Sequence, residues 1–319
     1  MLTAGVFLRP FKVLAAACVL ACIVFPVSAY GDTAETSATA PAALGQGERT
    51  ALPGLSAEQA LRRTHWLIGA GAVGVALYGA THWWQDGVTG HFRTVDEGWF
   101  GQDTYAGGAD KLGHAYSAYA GTRLLARGFE ELGNAPERSL WLAAGTSLGV
   151  LTAVEVVDGY SKKYSFSKED AIMNALGTGL GVLLETKPEL DKVLDFRVRY
   201  WPSDEARRLN QVDPVDDHSG QTYLLVAKAA GFAALRKHEP LRYLELAVGY
   251  GSRGYEPNTG NPEDRSRHIY YGVSLNLAEI LGDSLFSGSY KGGRTQRIAN
   301  AVLEFIQVPG TAALVDHRL

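Results

Sequence analysis

Cysteine is nearly absent from this chain: its 319 residues contain two, Cys18 and Cys22. Both lie in the apolar N-terminal segment, so a chain cut after Ala29 has neither a disulfide nor a thiolate metal ligand. Cys22 follows a weak lipobox pattern, which leaves lipidation as an alternative. An excess of positive charge is also missing, because 30 Lys and Arg face 34 Asp and Glu. We therefore expect no nucleic-acid partner.

The N-terminal residues have the features of an export signal. Arg9 and Lys12 precede an apolar stretch that ends at Val27-Ser28-Ala29, the small-residue pattern that signal peptidase reads. An uncleaved anchor helix is the alternative. We expect a signal peptide over residues 1–29, a flexible linker rich in Ala, Thr, Gly and Ser over residues 30–57, and a location in the bacterial cell envelope.

Apolar periodic segments predict four helices, at about residues 61–84, 109–132, 138–157 and 168–186. Small residues recur on them at close-packing spacing, as in Gly145-x-x-x-Gly149, which lets helix backbones approach each other in a membrane. Tight packing in a soluble bundle explains the same spacing. We expect a helical membrane-associated domain over residues 58–190.

The chain changes character after about residue 195. Apolar residues alternate with others over residues 244–250 and 269–277, which predicts an antiparallel hairpin with a long loop. We expect a C-terminal α+β region over residues 191–319. The predicted fold class is mainly α, with a four-helix membrane-associated bundle followed by this smaller region. Alternating aromatic strands are also typical of the outer membrane, so an outer-membrane component is an alternative.

Three polar motifs interrupt the apolar helices: Asp110-Lys111-x-x-His114, Glu155-x-x-Asp158 and Ser167-x-x-Asp170-x-x-x-Asn174. An ionisable group in apolar surroundings costs several kcal/mol unless it finds a partner. We therefore predict that these groups form a buried polar site. The candidate catalytic residues are His114, Glu155 and Asp158, and the candidate ligand-binding residues are Asp110, Lys111, Ser161, Asp170 and Asn174. The Ser167 hydroxyl is also predicted to cap the amide of Asp170.

The chemistry of this site has three interpretations. His114 could form a structural network with Glu155 or Asp158 that holds helices together. The same three residues could hold a divalent metal such as zinc or manganese. Without a metal, His114 and a carboxylate could act as a general acid/base pair. Motif spacing does not separate these interpretations, so the cofactor and the question of enzymatic activity stay open.

At these motifs the sequence resembles the YfiM-like family of predicted periplasmic lipoproteins, which have a domain of unknown function (DUF2279). The similar stretches are residues 109–115, 155–161 and 166–177, and the later blocks are residues 220–223 and 246–251. The chain is more distantly similar to VanZ-like membrane proteins, although Asp158 stands where their pattern usually has Gln. The second resemblance implies a compact multi-helix membrane domain, and neither implies a reaction.

These observations favour an envelope membrane protein that binds an amphiphilic ligand or has a structural role. The expected partner is a membrane lipid or an envelope precursor. The alternative is a membrane hydrolase or transferase acting on lipid or cell-wall precursors. In that case His114 is the base or a metal ligand, Glu155 and Asp158 are its partner carboxylates, and Lys111 anchors a phosphate.

Overall fold

The computed structural model describes residues 56–255, 262–287 and 291–319. The predicted signal peptide, and all but the last two residues of the predicted linker, lie outside the described residues. The linker region ends in helix, because the Ser56 side chain accepts from the amide of Gln59 and caps the first helix from residue 57 onward.

The chain divides into two compact units that alternate along the sequence. The helical unit consists of the residues up to Asp96 together with Ser117–Val182, and the sheet unit consists of Glu97–Tyr116 together with Leu183–Leu319. The domain boundaries expected from the sequence stay a prediction.

The four predicted helices are confirmed, with ends that differ by a few residues at most. They are α1 (Ala57–His82), α2 (Ala109–Glu131), α3 (Pro136–Tyr160) and α4 (Lys168–Thr186). The division into units falls within α2 and within α4, so the first two turns of α2 belong to the sheet unit. Two short strands in the helical unit, β1 (Thr94–Val95) and β2 (Phe166–Ser167), pair in parallel.

The core of the helical unit lies where α2 and α3 pack together. Ala126 and Phe129 from α2 meet Leu140 and Ala143 from α3, and these four side chains are buried. Small residues allow close approach elsewhere in this unit, since a Cβ added to Gly181 would lie 3.1 Å from Thr122 Cβ. By contrast, a Cβ added to Gly145 or Gly149 would have no neighbour within 4 Å. The glycine pair on α3 therefore faces open space.

Membrane embedding is supported for one helix only. Among the described residues, α3 alone is long and apolar enough to cross a membrane by length and composition. A bundle of four membrane helices is therefore not confirmed. One reason is the charge on the other helices, since Lys111 and Arg123 are buried on α2. The helical unit nevertheless exposes large apolar side chains, including Trp66, Trp141 and Leu176.

The sheet unit contains one antiparallel sheet in the order β3-β4-β5-β6-β7. Its strands are β3 (Leu194–Tyr200), β4 (Gln221–Lys228), β5 (Leu244–Arg253), β6 (Ser266–Leu275) and β7 (Ala312–Arg318). The predicted hairpin is confirmed as β5 and β6. The fold was expected to be mainly α. It is mixed, because the helices are accompanied by a five-stranded antiparallel sheet. Strand β4 was missed since residues 223–227 are continuously apolar and show no alternation.

Short helices lie around the sheet and do not enter it. They are α5 (Pro188–Asp191), α6 (Asp204–Leu209), α7 (Ala233–Arg236), α8 (Leu277–Asp283) and α9 (Arg294–Phe305). The longest of them is α9, with 12 residues. Its end lies beside the sheet, because Ile306 forms a parallel bridge with Val198 of β3.

The two faces of the sheet differ in burial. One face carries an apolar core of Leu224, Val226 and Ala247, and the buried Arg197 on it pairs with Asp195 and Glu245. On the opposite face, a cross-strand row of apolar residues is 46% to 57% exposed. The row, called the exposed row below, consists of Leu225, Val248, Tyr271 and Val315, which are direct partners in the strand register. The sheet thus has apolar residues on both faces, and on this face they stay about half exposed, which is typical of a surface that contacts a partner or ligand.

Candidate functional site

The first turns of α2 bring Asp110 and His114 together, as their four-residue spacing predicts. His114 Nε2 lies 3.6 Å from Asp110 Oδ1, and both side chains are partly buried. Between them Gly113 faces Tyr223, because a Cβ at this glycine would lie 2.9 Å from the Tyr223 hydroxyl. The absence of a side chain at Gly113 thus lets β4 approach this helix face.

Lys111 is fully buried beside this pair. Its ammonium group pairs with Asp110 Oδ2 at 3.2 Å and with the carboxylate of Glu97. A buried ammonium group needs such partners to offset the loss of its hydration. The charge of Lys111 is thus engaged by two carboxylates, and Glu97 is a partner that the motif spacing did not reveal.

A second imidazole joins the pair from a distant part of the sequence. A short 3-10 turn, His218–Gly220, precedes β4 and places His218 Nε2 3.9 Å from Asp110 Oδ1. His218 is buried. The polar stretch around it is visible in the sequence, but a local pattern cannot show which distant helix it meets. Below, the polar cluster means Glu97, Asp110, Lys111, His114 and His218.

Gln221 fixes the orientation of the His218 ring. Its Nε2 donates to the carbonyl oxygens of Pro214 and Val215, at 2.7 and 3.0 Å. The other amide atom, Oε1, therefore faces His218 Nδ1 at 3.3 Å and also accepts from the Tyr223 hydroxyl at 2.8 Å. Because Oε1 can only accept, Nδ1 is the donor, and in the neutral ring Nε2 is left as an acceptor toward Asp110.

The polar cluster keeps Asp110 ionised. Burial raises the pKa of its carboxyl group, but the charges of His114, Lys111 and His218 outweigh this and lower the pKa to about 2. The neighbouring tyrosine is shifted the other way: burial, and then the negative charge of Asp110, raise the pKa of Tyr223 well above its usual value. Tyr223 is therefore a neutral hydrogen-bond donor at neutral pH.

This geometry leaves a polar gap. The distance of 3.9 Å between His218 Nε2 and Asp110 Oδ1 is too long for a hydrogen bond. With a neutral ring, two acceptor atoms face each other across that gap. A cation, or a ligand group with N–H or O–H donors, would satisfy both atoms. Within this unit, Asp110 and His114 are the residues of the cluster whose ligand atoms lie close enough to share a metal.

The remaining predicted site residues belong to the helical unit. Glu155 is buried, and its Oε2 accepts weakly from the amide of Ser167 at 3.5 Å. Asp158 Oδ1 accepts from Trp84 Nε1 at 2.6 Å. Each carboxylate thus has a partner within its own unit. That they act together with His114 stays a prediction.

Ser161 and Ser167 have local structural roles in the helical unit. The Ser161 hydroxyl accepts from the amides of Lys163 and Tyr164, each at 3.1 Å, and so holds a turn after α3. The Ser167 hydroxyl accepts from the amide of Asp170 at 3.2 Å, which confirms the predicted cap of α4. Both Asp170 and Asn174 are buried, and their role in ligand binding stays a prediction.

Fold and motifs together define a mixed α/β protein that carries a histidine–carboxylate cluster. Residues 96–186 match the model of the family described as predicted periplasmic lipoprotein (DUF2279), the family that the motifs of this region resemble. The description supports the expected location in the cell envelope. No curated protein and no solved structure matches the chain significantly.

Proposed function

We propose that the sheet unit binds an amphiphilic molecule of the cell envelope, with its headgroup at the polar cluster and its chains along the exposed row. The observation that carries this proposal is the layout of one face of β4. Gln221, Tyr223 and Leu225 alternate along the strand and therefore share a face. Along this face the polar cluster at Gln221 and the exposed row at Leu225 lie about 13 Å apart at roughly 3.3 Å per residue. Tyr223, between them, is buried against α2, so the ligand would reach from one to the other around this contact.

The polar end of this surface favours a headgroup that donates hydrogen bonds. When the His218 ring is neutral, Asp110 Oδ1 and His218 Nε2 are both acceptors toward the gap between them, and the Asp110 carboxylate carries the negative charge of the site. An ammonium group or a sugar hydroxyl supplies the missing donors, whereas a quaternary ammonium group has none. The favoured ligand therefore has an N–H or O–H donor in its headgroup.

The apolar end accommodates the chains. The side chains of Leu225, Val248 and Tyr271 are about half exposed and lie side by side across three strands. Covering this surface with acyl chains removes apolar area from water at roughly 25 cal/mol per Å². Binding of the acyl chains should therefore depend on the exposed row and should not depend on which headgroup the lipid carries.

A matched pair of lipids tests the proposal. The full chain in a mild detergent is titrated with phosphatidylethanolamine and with phosphatidylcholine, which differ in the N–H donors of the headgroup. We expect phosphatidylethanolamine to bind about tenfold more tightly, the worth of one charge-assisted hydrogen bond. His218→Phe should abolish this selectivity, and Val248→Asn should weaken both lipids equally.

Val302→Asn is the control, because Val302 is an exposed valine on α9 and not on the sheet. It should leave both affinities unchanged. Equal binding of the two lipids by the unaltered chain would refute the headgroup assignment. Unchanged binding by Val248→Asn would refute the assignment of the chains to the exposed row.

A hydrolase or transferase acting on lipid or cell-wall precursors is the second candidate. His114 Nε2 lies 3.6 Å from Asp110 Oδ1. Two ligand atoms bonded at about 2.0–2.2 Å to one zinc ion are separated by roughly 3–4 Å, so this spacing suits a shared divalent metal. Stoichiometric zinc or manganese that is lost in His114→Ala would favour this candidate, and metal-free protein without lipid turnover would exclude it.

The exposed row also favours an outer-membrane component. Strands β5 and β6 are ten residues long, close to the length that a tilted strand needs to cross the hydrocarbon layer. Separation of inner and outer membranes on a density gradient, with detection of the full chain, decides between the two locations.

A further inference from the structure

Two arginines share one hydroxyl on the face of the sheet opposite to the exposed row. Arg253 Nη2 donates to Thr222 Oγ1 at 2.9 Å, and Arg199 Nη2 lies 3.3 Å from the same oxygen. Both guanidinium groups also lie over the ring of Tyr270, at 5.4 and 5.7 Å from its centre. Thr222 and Tyr270 are buried, so the two guanidinium groups rest against side chains that are themselves fixed by the packing of the sheet.

The charge of this pair is not neutralised by direct ion pairs. Within the described part of the chain, neither Arg199 nor Arg253 has a carboxylate oxygen within 4.0 Å. Arg197, two residues earlier on the same face, provides the contrast, because it pairs with both Asp195 and Glu245. The sheet therefore neutralises one arginine fully and leaves two neighbouring ones with positive charge to spare.

The two arginines line a cleft of about 530 Å³. Its wall also carries Trp201, an exposed ring, and Ser219, a buried hydroxyl. Two carboxylates on the wall, Asp204 and Glu205, pair with Arg207 and Arg208. Burial lowers the pKa of Arg199, whereas Tyr270 and Asp316 act to raise it, and the adjacent charge of Arg253 lowers it. The cleft is larger than an inorganic anion needs and has the size of a small-molecule site.

We propose that this cleft binds a phosphate group through Arg199 and Arg253, with Trp201 covering the organic part of the ligand. Two planar guanidinium groups present paired N–H donors, the geometry that suits phosphate oxygens. Mutual repulsion between the arginines falls when the anion binds between them. The site includes no residue of the polar cluster or of the exposed row. Its test therefore does not depend on the function proposed above.

Titration of the full chain with inorganic phosphate and with glycerol 3-phosphate tests the proposal, followed by flotation with vesicles of phosphatidylglycerol or of phosphatidylcholine. We expect binding that weakens about 10- to 100-fold in Arg199→Gln and in Arg253→Gln, since each substitution removes a charge-assisted contact. Arg199→Lys, which keeps the charge and loses the planar fork, should give an intermediate loss. Arg236→Gln is the control, because Arg236 is an exposed arginine at the end of α7 and does not line the cleft.

The titration with soluble phosphates and the vesicle flotation together identify the source of the phosphate group. Loss of soluble phosphate binding in the arginine variants indicates a free organic phosphate, and loss of phosphatidylglycerol flotation alone indicates a lipid headgroup. Binding raises the melting temperature of the unaltered chain, so a thermal shift on phosphate addition supplies a second readout if a variant folds poorly. The proposal is overturned if neither titration nor flotation shows binding, or if Arg199→Gln and Arg253→Gln bind like Arg236→Gln.

Discussion

Replacing Asp110 by Asn tests whether the polar cluster stabilises the fold. The pKa of this carboxyl group falls from 3.8 to about 2 on folding, because the cations around it favour the ionised form. A shift of nearly two units at about 1.4 kcal/mol per unit corresponds to about 2.5 kcal/mol of stability at neutral pH. We expect Asp110→Asn to lower the free energy of unfolding at pH 7 by about this amount.

The lowered pKa of Asp110 also determines how the free energy of unfolding depends on pH. A depressed pKa stabilises the folded state above the pKa of the unfolded chain, and this contribution is lost as the pH falls through the folded value. The difference between the unaltered chain and Asp110→Asn should therefore be constant above about pH 4 and shrink between pH 4 and about 2. Urea unfolding followed by tryptophan fluorescence measures it, since the chain contains six tryptophans.

Glu189→Gln is the matched control for loss of a carboxylate. Glu189 pairs with Lys192, but its side chain is 87% exposed, so its removal should change stability little at any of these pH values. If Asp110→Asn unfolded like the unaltered chain at pH 7, or if the difference persisted unchanged down to pH 2, the reasoning about the cluster would be refuted.

Two further predictions concern packing and buried charge, and thermal or urea unfolding checks both. Gly181→Ala should destabilise the helical unit, because its Cβ would press on Thr122, whereas Gly145→Ala should stabilise α3 by up to about 1 kcal/mol, since its Cβ meets nothing. Equal effects at the two glycines would contradict this. Arg197→Met should cost about 3 kcal/mol, because it leaves Glu245 buried without its cation, and a neutral result would show that the network is dispensable.

The helices could be predicted from the sequence because their determinants are local. Helix α4 begins and ends where the Ser167 cap and Pro188 place its limits, and the predicted range is the observed one. A bundle of four membrane helices stays unconfirmed, because Ala- and Gly-rich helices have the same composition in membranes and in water-soluble cores, and α2 buries Lys111 and Arg123 with partners. Strand β4 lacks alternation, which is why a local pattern did not reveal it.

The site was predictable only within single segments. The four-residue spacing of Asp110 and His114 is enough to place them on one face of a helix. His218 comes from a turn far along the chain, and Glu97 from the segment before α2, so their contacts depend on tertiary structure. The arginine pair is equally invisible in the sequence, because Arg199 and Arg253 meet only through the pairing of β3, β4 and β5.

The exposed row has a consequence for handling the protein. The exposed row crosses four adjacent strands and presents an apolar surface of Leu225, Val248, Tyr271 and Val315. In buffer without detergent, molecules of the protein should associate through this surface. Light scattering should therefore rise with concentration in the absence of surfactant and fall when a micelle or bilayer shields this surface.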